Sequence, residues 1–182
     1  GPLDRLLLSE LAHDDLTLAV RVALNEALYL RREPLRREPP AGLALLLDSG
    51  VRLWGVPRVL GTAAALALIA GTRPGTTVRA WRACASRLEP IQLLHRDSLI
   101  QHLAALETTA HVGAQLPAFA DALADPDAAP AQAIVITHHD ALEDPEFRRA
   151  LAAAGPAIGF VATVTREGAF ELHATPCSSR PP

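Results

Sequence analysis

The chain contains no lysine and no methionine, and all 17 of its basic residues are arginine. Without lysine there is no Walker-type phosphate loop, no Schiff-base lysine and no lysine general base. An arginine-only set of cations reads as the bias of a GC-rich genome. With no methionine at its start, the chain reads as an excised piece or a processed one, and Gly1-Pro2 as a cloning remnant. Aromatics make up only 4%, so alanine and leucine must fill most of the core. The two cysteines, Cys84 and Cys177, are too few for a disulfide framework and read as unpaired thiols. No signal peptide is visible, and the longest apolar candidate, Val59 to Ala70, falls short of the roughly 20 residues of a membrane helix. A net charge of −3 gives no reason to expect nucleic acid or an acidic membrane surface. These absences point to a soluble, cytoplasmic protein with neither a nucleic-acid nor a membrane partner.

What is present is globular: 182 residues, 49% of them apolar and 20% charged, enough for one core. Residues 1–40 read as an N-terminal helical segment and a linker. Apolar residues at helical spacing run from Leu7 through Leu16 and Val20 to Leu30, with Asp14 and Asp15 placed to cap a second segment. The duplicated Arg31-Arg32-Glu33-Pro34 and Arg36-Arg37-Glu38-Pro39 then read as a stiff, solvated connector. Residues 41–175 read as an α/β domain, and 176–182 as a disordered tail.

Within that domain Leu43 to Leu47 and Ala133 to Ile136 are short and wholly apolar, as buried parallel strands are. A helix follows the first strand, with Pro57 in its first turn, an apolar face of Val59, Ala63, Leu66 and Ala70, and Gly71 at its end. Thr77 to Ala85 reads as a strand, and Ile91 to Leu94 as a further strand or a connection. Helical spacing returns at Leu99, Leu103 and Leu106, with Asp97 as N-cap, at Leu116, Phe119 and Leu123, and from Pro145 to Ala154. Residues 125–130 read as a loop. The runs 158–165 and 169–174 flank Glu167-Gly168, which predicts a hairpin with a two-residue turn. The whole predicts a doubly wound, mostly parallel sheet with helices on both faces and an antiparallel hairpin at one edge. In such sheets the ligand crevice lies beyond the carboxyl ends of the strands, where the strand order reverses. Asp48 and Thr137-His138 end the two buried strands, so chemistry is expected there if those strands are neighbours.

Several chemistries fail on spacing. Gly50 and Gly55 do not make a dinucleotide fingerprint, no Gly-x-Ser-x-Gly elbow exists, and Gly50 stands where an aspartyl phosphatase needs its second acid. Ser49 with His138 or His139 and an acid remains a triad candidate, so a hydrolase site of Asp48, His138, His139 and Asp140 is the rival reading. Successive residues at a strand end point in opposite directions, which argues against His138 and His139 sharing one ion. His95 and His102 would be divided by the cap at Asp97.

The run Leu45-Leu46-Leu47-Asp48-Ser49-Gly50-Val51-Arg52, followed by Gly55-Val56-Pro57-Arg58, resembles the first strand, metal loop and first helix of a von Willebrand factor A domain. That family's loop reads Asp-x-Ser-x-Ser and, with a threonine and a further aspartate, holds magnesium that a partner's carboxylate completes. Position by position, Asp48 keeps the first acid, while Gly50 and Arg52 replace both serines. Thr108 or Thr109 stands for the threonine, His138 takes the place of the aspartate, and Asp140 lies two residues later. The resemblance therefore implies a degenerate site with no cofactor, or magnesium at most through Asp48, Thr109 and Asp140. The arginine of the loop would stand where the cation sat and pair with Asp48. Asp48 to Arg58, Ser98 to Leu106 and Asp144-Pro145-Glu146-Phe147 further resemble the A-type component of bacterial systems that combine it with a MoxR-type AAA+ ATPase and a β-propeller protein. That implies an adaptor rather than an enzyme, with its partner at Asp48, Ser49, Arg52, Trp54, Arg58, His138, His139 and Asp140. Trp54 either packs under its own helix or stands partly exposed between the guanidinium groups of Arg52 and Arg58.

Overall fold

The computed structural model describes residues 10–24, 26, 42–85, 87–125 and 131–175. The chain divides into two units, Gly1–Pro39 and Pro40–Pro182. The Arg-Glu-Pro repeats, the loop 126–130, Cys177 and the tail 176–182 lie outside the described residues.

In the first unit a 3-10 turn, Glu10–Ala12, precedes helix α1, Asp15–Ala23. Asp14 caps it as its position suggests: Oδ1 accepts the Thr17 N–H at 3.0 Å, and Oδ2 accepts the Thr17 hydroxyl at 2.7 Å. Arg21 reaches back to Glu10 at 2.9 Å. The expected helical run is corrected here: α1 ends at Ala23, and Leu16 and Val20, whose spacing suggested the helix, are exposed.

The second unit is an α/β domain built on six strands: β1 Gly42–Asp48, β2 Thr77–Ala83, β3 Leu88–Pro90, β4 Ala131–His138, β5 Phe160–Val164 and β6 Phe170–Ala174. Their order is β3-β2-β1-β4-β5-β6. Strands β2, β1, β4 and β5 are parallel, and the edge strands β3 and β6 are antiparallel. The two apolar runs are thus neighbours, with Leu43 beside Gln132 and Leu47 beside Ile136. Chain order reverses between β1 and β4, so the crevice at their carboxyl ends is a topological switch point. Ile91 to Leu94 is a connection, tied to β2 by the Ile91 N–H on the Ala80 carbonyl at 2.9 Å.

Alternation along the strands splits the core into two layers. Leu45, Leu47, Ile134, Ile136, Ala162 and Val164 face helix α2, Val56–Ala70. Leu46, Val135 and Val161 face α4, Leu116–Leu123, and α5, Pro145–Ala154, through Leu116, Phe119 and Phe147. Trp81 meets Phe119 edge-on at 5.6 Å.

Three local expectations are corrected. Helix α2 buries Pro57, Arg58, Gly61, Thr62 and Ala65, while Val59, Ala63 and Ala70 of the expected face are exposed. Nearly every residue of that helix is apolar or small, so periodicity cannot select a face; close approach does. A Cβ on Gly61 would sit 3.2 Å from Ile136 Cγ2. Helix α3, Arg96–Ala104, starts two residues earlier than read, with His95 at its N-cap and Asp97 exposed in its first turn. In the hairpin Thr165 pairs with Ala169 across three residues. The Gly168 N–H bonds to the Thr165 carbonyl at 3.2 Å, and Gly168 has φ 91°. That is a three-residue loop closed by a left-handed glycine, not a two-residue turn. No helix among the described residues is long and apolar enough to cross a membrane.

Candidate functional site

Every residue of β1 is buried, and the strand delivers Asp48 into the crevice with its carboxylate already engaged. Oδ1 accepts the Gly50 N–H at 2.7 Å, and Oδ2 accepts the Thr137 hydroxyl from the neighbouring strand at 2.7 Å. Burial raises this carboxyl above the ordinary carboxylate value, against the opposing pull of those two bonds and of the charges on Arg58 and His111. Next to it the Ser49 hydroxyl donates to the Ala83 carbonyl, and neither His138 nor His139 is its partner.

The cation that serves this loop is Arg58, not Arg52. Arg58 was expected beside Trp54 as a solvent-facing group, yet it is only 2% exposed. Its Nη2 donates to the carbonyls of Ser49 at 2.5 Å and Gly50 at 3.2 Å, so it braces the loop from beneath. Burial makes it less basic, and the charge of Asp48 opposes that effect. His102 of α3 lies buried against the same group. Desolvation first, then the charges of Arg58 and Arg82, lower its pKa to about 4, so it is neutral at pH 7. Asp48, Arg58 and His102 share a cavity of about 10 Å³ with Leu53, Thr62 and Ile136. That volume suits one water, not a substrate. Arg52 sits higher in the loop, near Asp144. The Glu146 N–H chiefly, then the charges of His111 and Arg52, hold the Asp144 carboxyl below its ordinary value.

The loop has no room for the serine that would supply a magnesium ligand at position 50. A Cβ at position 50, where the resembling family carries serine, would lie 2.5 Å from the Thr109 carbonyl and 3.0 Å from Asp48 Oδ1. Thr109 closes over the loop through its backbone, accepting the Val51 N–H at 3.2 Å, and the Glu107 N–H reaches the Ser49 carbonyl at 3.0 Å. Both Asp48 oxygens are spent on protein donors, and Gly50 supplies no oxygen ligand from a side chain. The residues present do not fit the magnesium site of that family.

His138 is buried; its Nδ1 accepts the Asp140 N–H at 3.2 Å and lies 3.4 Å from Asp140 Oδ2. His139 turns away from it, with Nδ1 3.8 Å from Glu171 on β6. The two histidines therefore part, as strand alternation predicts. Among the described residues, two clusters bring three ligand atoms within 4.8 Å of one another: His111 with Asp144 and Glu146, and His139 with Glu171 and His173. Asp48 and Asp140 belong to neither.

Above the crevice the 3-10 turn Val51–Leu53 and the start of α2 expose Val51, Trp54, Val56 and Val59 within one short segment. Trp54 is 52% exposed, with the Arg58 guanidinium 5.3 Å from its ring centroid. A roomier cavity of about 370 Å³, lined by Ile69, Val78, Ala80, Ile91, Leu93 and His95, lies away from these loops and brings no acid. No family model, curated protein or solved structure matches the chain. Four contributions escaped the sequence reading: the bond of Thr137 to Asp48, the buried His102, His111 on Asp144, and the pairing of Glu171 with His173. Only the last had a local signal, two ligand-bearing residues two apart on a strand.

Proposed function

We propose that the chain is a binding module, a von Willebrand factor A-like adaptor with a degenerate metal site. It works with a MoxR-type AAA+ ATPase and a β-propeller protein in bacterial protein remodelling. The observation that carries this reading is the run of exposed apolar side chains, Val51, Trp54, Val56 and Val59, beside a loop whose acid and serine are already hydrogen-bonded internally. Scattered apolar residues on a surface need no explanation, but a half-exposed tryptophan is the residue type enriched at interface centres, and three exposed valines in the same short segment extend its apolar surface. Arg52 is the cation of the loop left to meet a partner's carboxylate.

The test is capture of the purified MoxR-type ATPase of the same genome by the wild-type chain and its variants. Trp54→Ala is expected to cost about 2 kcal/mol, a roughly 30-fold weaker Kd. Arg52→Ala has a smaller effect, and Arg149→Ala on exposed α5 has none. Arg58→Ala is not a surface test, because it removes a brace of the fold. Equal capture by the folded Trp54→Ala, Val56→Asp and Arg52→Ala variants places the interface elsewhere. Turnover of an ester or phosphoester that vanishes with Asp48→Asn would replace this reading with the hydrolase.

A further inference from the structure

At the edge of the sheet, on the same carboxyl end as the crevice, three side chains converge without satisfying one another. His139 opens the 3-10 turn after β4, and Glu171 and His173 stand two apart on β6. Register fixes the pair: Glu171 lies opposite Thr163 and His173 opposite Val161, so both project on the α4/α5 side of the sheet. His139 Nδ1 is 3.8 Å from Glu171 Oε2, and His173 Nε2 is 3.4 Å from the same oxygen. Both separations exceed the roughly 3 Å of a hydrogen bond. His139 Nδ1 is also shielded from solvent and has no hydrogen-bond partner. A shielded imidazole nitrogen aimed at a carboxylate it does not bond is what a ligand set awaiting a cation looks like.

We propose that His139, Glu171 and His173 form a binding site for a divalent transition metal of the zinc class. Zinc takes imidazole nitrogen and carboxylate oxygen at about 2.0–2.2 Å, so two tetrahedral ligands stand about 3.3–3.5 Å apart. The 3.4 Å pair already has that spacing, the 3.8 Å pair must close by a few tenths of an ångström, and all three atoms fall within 4.8 Å. Two imidazoles and one carboxylate form a three-protein-ligand set that leaves a fourth position open to water. His173 Nε2 now shares a 3.3 Å hydrogen bond with Thr163 Oγ1, which a bound metal would replace. Two nitrogens among three donors select zinc, nickel or copper over magnesium or calcium. The half-exposed position of the three residues gives an ion a path in. The other three-residue cluster is a poorer site, because His111 Nδ1 is committed to the Gly113 N–H at 3.0 Å and Asp144 caps α5. This proposal needs no partner protein, so it stands or falls separately from the adaptor reading, although His139 belongs to both surfaces.

The experiment is calorimetric titration of the metal-free chain with zinc, magnesium as control, followed by cobalt substitution read by its visible ligand-field absorption. One zinc per chain at micromolar affinity, a rise in Tm with zinc, and a tetrahedral or five-coordinate cobalt spectrum are expected. His173→Ala, Glu171→Gln and His139→Ala should each weaken zinc by more than about 100-fold, beyond the ~10–100-fold that loss of an outer partner costs. His111→Ala should leave binding unchanged. Because these side chains are half-exposed, the variants should melt as the wild type does without metal, so a lost signal reads as a lost ligand. Silence toward zinc overturns the proposal, and so does binding that survives His173→Ala and Glu171→Gln or disappears with His111→Ala.

Discussion

Two polar corners stand on the same end of the sheet, and they are opposites. At the switch point Asp48 is buried, both of its oxygens are bonded, and Arg58 and Thr109 close the loop around it. At the edge His139, Glu171 and His173 are half-exposed, and their ligand atoms face one another across gaps too long for hydrogen bonds. The first corner carries most of the residues that sequence resemblance marks as functional, and the second shares only His139 with them. Saturation of the carboxylate is the physical difference. Among the described residues, both Asp48 oxygens accept hydrogen bonds and those of Glu171 accept none, although Arg58 Nε and Nη1, His102 Nδ1 and His138 Nε2 at the switch point are themselves without a partner. A buried polar group left unpaired costs stability, so a central strand end is filled by protein donors, whereas an edge can leave its ligands to solvent or a metal.

The comparison breaks most visibly at Asp48. Replacing it with alanine strands the Thr137 hydroxyl, the Gly50 N–H and the buried charge of Arg58, and should cost about 3–5 kcal/mol in chemical denaturation. A loss near zero would mean that the corner is not closed. His102 gives the next effect. Its folded pKa, about 4, lies below the 6.5 of the free side chain. Between those values the unfolded chain binds more protons, so stability is full above pH 6.5 and falls as pH drops towards 4. The loss should approach about 3 kcal/mol. The carboxyl of Asp48, raised by burial above the ordinary carboxylate value, works in the opposite direction. Melting curves of wild type and His102→Gln across this window should converge in acid, and parallel curves would show that His102 is not the titrating group. Gly50→Ala drives a Cβ into the Thr109 carbonyl and should cost about 1–3 kcal/mol without changing zinc binding at the edge. The smallest effect sharpens the contrast: Glu171→Gln without metal should shift stability by no more than about 0.5 kcal/mol, because the site is exposed and unsaturated.

Much of this was legible. The apolar runs that became β1 and β4, the cap at Asp14 and the placing of Asp48 and Thr137 at strand ends follow from local patterns that bury or cap backbone wherever they occur. The face of α2 was not legible, because a helix apolar on all sides carries no phase until a sheet presses on it. Arg58 was mistaken for a surface cation for the same reason: its position at the start of α2 does not say which way the helix is rolled.

By itself, the sequence determined an α/β domain whose two central strands end in an acid and in a threonine followed by histidines, through the length, period and punctuation of its apolar segments. Only the tertiary structure decided which polar groups are spent and which are left over. Hydrogen-bond saturation depends on partners far away in the chain: Thr137 on Asp48, Thr109 over Gly50, and β6 beside the turn at His139. Those distances are set by strand order and register, which no local pattern encodes.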